Sequence, residues 1–279
     1  MAVFTNRATL SYNNRTVSSN TVTGEVVGAV TLLKTAVRGV YSVGDIVTYT
    51  VSIANTTATP ITDLTISDDL GAYPFGAGTL VPLTYIENTL QYFVNGVPAT
   101  APTVLSVSPL VIEAINVPAG GNVLLVYSVR VNEYAPPCVG GSVTNTVTAS
   151  SCGAEDSAVI NAECEPSLTI DKALSPGTVP CNGAISYTFT IANSACCPAN
   201  VEDNIILSDT FDPAITITSV TLNGAPLTAE QYTYNEATGE FATVAGVITV
   251  PGATFTQDAV TGVWTSEPGI TTVVINGTV

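Results

Sequence analysis

Residues 46–55 read IVTYTVSIAN, and 138 residues later positions 184–193 read AISYTFTIAN. In both, apolar and polar side chains alternate, the pattern of a strand with one face on a core and one in water. Thr, Val, Ile and Tyr, which suit a pleated surface, fill both stretches. One strand is therefore written twice, and the rest of the chain follows it. VTLLK ending at Lys34 matches LTIDK ending at Lys172, again 138 positions on, and LTISDDL around Asp68 matches IILSDTF around Asp209, 141 positions on. The strand NVLLVYSVRV ending at Val131 has a weaker counterpart in TTVVINGTV ending at Val279. With no stretch of helical period and Gly or Pro between segments, the reading is all-β: two tandem β-sandwiches.

Composition narrows the function classes. At 279 residues there is room for two domains, each with its own core. Hydrophobic residues make up 46% of the chain, but they are spread over short segments, so insertion into a membrane is not expected. A net charge of −16 repels phosphate backbones and argues against nucleic acid. The chain has no histidine, the usual general base and the commonest metal ligand, so neither a turnover enzyme nor a bound metal or cofactor is expected. Its first residues, MAVFTNRATLSYNN, carry no secretory pattern.

Six cysteines, Cys138, Cys152, Cys164, Cys181, Cys196 and Cys197, lack the spacing of a zinc site and are disulfide candidates, which implies an oxidising location. Buried reduced thiols are the alternative. Adjacent Cys196 and Cys197 are expected to take different partners. The acidic groups at Ser67–Asp69 and Val201–Asp203 read as solvated loop residues before they read as calcium ligands.

The repeat is cut in an unexpected place. After Val131 the first copy continues through SVTNTVTAS and SAVINAE, ending at Glu163, whereas the second copy reaches Val279 without them. Their match lies at the start of the chain. FTNRATLS from Phe4 parallels VTNTVTAS from Val143, and SNTVTGE ending at Glu25 parallels SAVINAE. The reading is an N-terminal donor hairpin over residues 1–27, a first sandwich over 28–165, and a second sandwich over 166–279 that lacks its last two strands. Phe4, Ala8 and Leu10 share one face of the donor strand with Asn6. An incomplete sandwich leaves unpaired backbone groups, at about 1–3 kcal/mol for each one buried, so it calls for a donor. When the donor comes from a second copy, the contact is heterologous and does not close, and such contacts make filaments. A flexible extension and closure within one chain are the alternatives.

Strand phase also points three polar side chains inward in each copy. Lys34, Asp68 and Asn145 share the core phase of the first, and Lys172 and Asp209 that of the second, where Asn6 of the hairpin is the matching asparagine. A buried ammonium must be neutralised, by a Lys–Asp pair hydrogen-bonded to Asn or by chemistry.

The order of these motifs, a strand ending in Lys, GDIVTYTVSIANTT, LTISDDL and VTNTVTAS, resembles the tandem surface repeats of bacterial and archaeal envelope proteins called domain of unknown function eleven. The resemblance spans nearly the whole chain about twice over. It implies immunoglobulin-like sandwiches in an extracellular or cell-surface stalk with no turnover. The split second copy resembles in type a donor-strand filament subunit such as a pilus or spore appendage protein. Gram-positive pilin domains that this chain resembles form isopeptide bonds. By that likeness Lys34 would join Asn145 with Asp68 assisting, and Lys172 would join Asn6 of the next subunit with Asp209 assisting. The expected function is a structural subunit of a head-to-tail homopolymer, and the alternative is a monomeric surface adhesin or binding module.

Overall fold

The computed structural model describes residues 2–26, 30–138, 140–150 and 153–279, which leaves Cys152 outside the described residues. Among them there is no α-helix, and no helix is long and apolar enough to cross a membrane. The fold is all-β, as the alternation predicts. Two compact units form: Met1–Ala135 with Val143–Ile160, and Pro136–Ser142 with Asn161–Val279. Pro136–Ser142, within the range 28–165 read as the first sandwich, thus groups with the second unit.

The chain opens with β1 (Ala2–Asn6), β2 (Thr9–Tyr12), β3 (Arg15–Ser18) and β4 (Val22–Val26). Among the described residues β1 pairs only with β4, and β2 only with β3. Together they form a ribbon that turns at Asn13 and Asn14, both in the left-handed region that asparagine tolerates. Phe4 and Leu10 are 57% and 64% exposed, so these two side chains are not packed into a core. The Phe4 ring lies over Gly24, where a Cβ would stand 2.4 Å from it.

The first sandwich follows. Its strands are β5 (Val30–Ala36), β6 (Val40–Tyr41), β7 (Ile46–Asn55), β8 (Ile61–Asp68), β9 (Tyr73–Phe75), β10 (Gly78–Leu80), β11 (Leu83–Tyr85), β12 (Gln91–Val94), β13 (Val97–Ala99), β14 (Thr103–Val107), β15 (Leu110–Val117), β16 (Asn122–Val131), β17 (Ser142–Ala149) and β18 (Glu155–Ala162). One sheet runs β13-β12-β16-β7-β5, with β11 also on β16, and the other runs β14-β15-β8-β17-β18-β6. Val47, Tyr49, Val51 and Ile53 of β7 are buried at every second position, as are Leu64 and Ile66 of β8, where Ala149 of β17 lies opposite Ile66.

The second unit repeats this plan with β19 (Leu168–Ser175), β20 (Ala184–Asn193), β21 (Ser208–Thr210), β22 (Thr216–Leu222), β23 (Ala225–Pro226), β24 (Tyr232–Asn235), β25 (Glu240–Thr243), β26 (Thr254–Gln257), β27 (Trp264–Glu267) and β28 (Gly269–Thr278). Its larger sheet, β19-β20-β28-β22-β23, mirrors β5-β7-β16-β12-β13. The opposing sheet has three strands, β21-β25-β24, where the first unit has six. The core of Phe189, Ile191, Phe211, Phe241, Val273 and Ile275 is nevertheless well buried. A disulfide between Cys164 and Cys197, with Cα atoms 5.4 Å apart, ties the chain entering the unit to the loop after β20.

Candidate functional site

In the first unit the three inward polar side chains meet the expectation of burial: Lys34, Asp68 and Asn145 all lie in the core. β5 delivers Lys34, the end of β8 delivers Asp68 and the middle of β17 delivers Asn145, each at an inward position of its strand. Lys34 Nζ donates to Asp68 Oδ2, and the Tyr127 hydroxyl donates to the same oxygen. Asp68 Oδ1 accepts the Leu70 N–H at 3.0 Å. The ammonium sits 5.0 Å from the centre of the Tyr49 ring and 6.0 Å from that of Tyr127, and these faces favour a cation.

Burial nonetheless dominates and lowers the Lys34 pKa, with Asp68 opposing. The same desolvation raises Tyr127 and Tyr49 well above an ordinary phenol, with the Asp68 charge adding to it. Asn145 is the exception to good pairing. Both amide atoms are buried and make no hydrogen bond of ordinary geometry, although the hydroxyls of Tyr49 and Tyr127 lie near enough to interact with it. A buried carboxamide with no hydrogen bond of ordinary geometry thus shares one core with a lysine whose pKa burial lowers. The two tyrosines were not singled out from sequence. Their signal is inward phase: Tyr49 and Tyr127 face one another across β7 and β16.

The second unit holds two of these three residues. Lys172 Nζ donates to Asp209 Oδ2 at 2.5 Å and lies 4.8 Å from the Tyr187 ring centre. Opposite Tyr187 on β28 stands Ile275, where the first unit has Tyr127 opposite Tyr49, so Asp209 has no tyrosine donor there. No asparagine occupies the place of Asn145 in this unit, and Asn6, its sequence match, stays on the exposed ribbon.

Around that pair the sheet is open. In the first unit β17 lies along β8, with Val147 opposite Asp68, Thr148 opposite Ser67 and Ala149 opposite Ile66. In the second, β21 pairs with β25 on one side, and among the described residues no strand pairs with its other edge. The consequence reaches the facing sheet. β19 is exposed along its whole length, and Ile170 is 53% exposed, whereas Val30 and Lys34 of β5 are buried. Leu168, Ile170, Ile191, Ile205, Ile206 and Leu207 line an apolar groove of about 190 Å³ between them.

Among the described residues no group of three or more acidic or cysteine side chains is placed to hold a metal ion. Asp69, one of the acidic residues at Ser67–Asp69, instead accepts the N–H groups of Gly71 and Thr146 at 2.9 and 2.8 Å. Of the cysteines, Cys164 and Cys197 are joined, and Cys138, Cys181 and Cys196 carry free thiols.

No family model and no curated protein matches the sequence, so the likeness to domain of unknown function eleven rests on the motifs themselves. Solved structures do match. The pilus backbone protein RrgB of Streptococcus pneumoniae aligns at 13% identity and a TM-score of 0.34, over 86% of this chain and 55% of that one. BcpA, the major pilin subunit of Bacillus cereus, aligns at 13% identity and 0.33, over 98% and 74%. A type II cohesin dyad of Acetivibrio cellulolyticus aligns at 13% identity and 0.24, over 89% and 85%. The chain thus spans about half the length of the RrgB backbone.

Proposed function

We propose that this chain is a structural subunit of an extracellular, surface-associated filament, in which the β1–β4 ribbon of one copy completes the second unit of the next. One observation carries the reading. The open edge of β21 and the exposed face of β19 lie where β17 and β18 would lie by analogy with the first unit, and among the described residues the ribbon that matches β17 and β18 in sequence pairs with nothing but itself.

The repeat sets the register of the contact. Carrying the pairs of β17 and β8 across places Ala8 opposite Asp209, Thr9 opposite Ser208 and Leu10 opposite Leu207. Phe4, Asn6 and Leu10 then take the inward positions that Val143, Asn145 and Ala149 hold in the first unit, and Val22 takes that of Ile160. Each large apolar side chain so buried contributes about 1.5–3 kcal/mol. New ladder hydrogen bonds add to this, and lost rigid-body freedom offsets part of it.

In this register Asn6 enters the Lys172–Asp209 pair and completes the three-residue set. Each such set supports one condensation: neutral Lys Nζ attacks the Asn carboxamide carbon, the aspartic acid passes a proton to the departing nitrogen and takes back the one that Lys Nζ gives up, the C–N bond to that nitrogen breaks, and one ammonia leaves. Lys34 would join Asn145 within a copy, and Lys172 would join Asn6 between copies. The partner is the chain itself, no cofactor is needed, and the event occurs once with no turnover.

Electron microscopy and sedimentation of the purified full chain, beside a variant lacking residues 1–27, test the assembly. Filaments from the full chain and single particles from the variant are expected. Single particles from both would overturn the reading and favour a monomeric binding module.

A further inference from the structure

The loop after β20 carries two adjacent cysteines, and only Cys197 is used in the known disulfide. Cys196 has a partner waiting. Its Sγ lies 3.7 Å from the carbonyl oxygen of Pro137, and its thiol is hydrogen-bonded to that of Cys138. We infer that Cys138 and Cys196 form a second disulfide beside the one between Cys164 and Cys197, so that neighbouring cysteines of one loop tie down two separate passages of the chain.

The backbone that carries each cysteine is held in place, which favours a bond of narrow geometry. On one side, the Gly141 N–H donates to the Cys138 carbonyl at 2.6 Å, closing a turn in which a Cβ on Gly141 would meet the Cys138 and Pro136 carbonyl oxygens at 2.7 and 2.8 Å. Only glycine fits there. On the other side, Asn193 clasps the loop: its Oδ1 accepts the Ala195 N–H at 3.1 Å and its Nδ2 donates to the Cys197 carbonyl at 2.7 Å. Gly252 presses so closely that a Cβ on it would lie 2.1 Å from the Cys196 carbonyl oxygen. Neither loop can carry its cysteine's backbone away without breaking these contacts, and both cysteines are half-buried. An environment that oxidises Cys164 and Cys197 also supplies the means to oxidise a pair held this way.

The chemistry balances with a small-molecule disulfide as oxidant. One thiolate attacks it and releases one small thiol, leaving a mixed disulfide. The second protein thiolate then displaces the remaining small thiol, so two electrons and two protons leave the protein. Burial, with the Cys196 thiol beside it, pushes the Cys138 thiol up to about 12, so Cys138 is a poor first nucleophile at neutral pH. Formation is therefore expected to quicken as pH rises.

The test is peptide mapping of the full chain after exposure to oxidised glutathione, digested without reduction after alkylation of free thiols under denaturing conditions. The expected product joins the Cys138 peptide and the Cys164 peptide to the one that carries Cys196 and Cys197, and fragmentation assigns Cys138 to Cys196. Variants check the assignment independently: C196S frees Cys138 for alkylation and leaves Cys164 joined, while C197S frees Cys164 and leaves Cys138 joined. Alkylated Cys138 in the wild type, a crossed pairing, or a link from Cys138 to Cys152 or Cys181 would overturn the inference. So would a link between copies, which mixing isotope-labelled with unlabelled chain detects as a mixed-mass product.

Discussion

Lys34 and Lys172 hold the same strand position in the two units and each bonds one aspartate, yet the Lys34 side chain is 0% exposed and that of Lys172 is 41% exposed. The difference lies in what covers them. β17 and β18 complete the sheet that faces β5, whereas β19 faces a sheet that stops at β21. An ion pair as wet as Lys172–Asp209 contributes about 0–1 kcal/mol, so it does not hold the second unit together and is available to a strand that arrives.

The register in which that strand arrives is open to direct trapping. Thr9→Cys in one copy and Ser208→Cys in another are expected to form an intermolecular disulfide under mild oxidation, because the repeat puts these residues opposite each other. Moving the donor cysteine by one position, to Leu10, turns its side chain to the other face and should trap far less. Equal trapping at both positions would rule out a fixed register.

Leu10→Asp separates folding from assembly. Leu10 lies on the exposed ribbon and contributes to neither core, so circular dichroism and melting temperature of the isolated chain should not change. Filament yield should collapse, since the carboxylate would have to enter the groove beside Leu207. A variant that polymerises normally would place the donor face elsewhere.

The condensations have a signature in mass. The intact chain is expected to be lighter by one ammonia for the Lys34–Asn145 bond, and filaments should survive boiling in detergent and reductant through Lys172–Asn6. Asp68→Ala should restore the full monomer mass. If no bond forms in the wild type, the same change still costs about 3–5 kcal/mol by stranding a buried ammonium, so mass and stability report separately. Lys172→Ala should give filaments that assemble yet fall apart on boiling. Boil-resistant polymers from that variant would assign the cross-link to other residues.

Much of this architecture was legible in the chain. Strict alternation in residues 46–55 and 184–193 gave the inner strands, because a half-buried strand allows no other phase. The same phase points Lys34, Asp68 and Asn145 into one core, where all three are buried. Two things lay beyond its reach. Tyr127 reads as an ordinary apolar position, since only three-dimensional placement reveals that its hydroxyl ends on Asp68. The pairing of Cys164 with Cys197 depends on loop paths fixed by Asn193 and Gly252, and alternation says nothing about loops.

The buried tyrosines make the alkaline limb of stability predictable. Tyr41, Tyr49 and Tyr127 all have folded pKa values raised above 10.0, chiefly by burial. Above pH 10 the unfolded chain therefore releases protons that the native state keeps, and stability must fall as pH rises. Lys34 acts in the opposite sense: its folded pKa is lowered from 10.5, so its penalty shrinks as pH approaches that value and contributes nothing to the loss beyond it. Tyr49→Phe isolates one contribution. The Tyr49 hydroxyl is buried with no hydrogen bond of ordinary geometry, so removing it should leave stability at pH 7 unchanged or raised by about 1 kcal/mol. The decline between pH 10 and 12 should become shallower than in the wild type. Urea unfolding at a series of pH values measures both effects, and an unaltered alkaline slope in the variant would show that Tyr49 is not held protonated by the core.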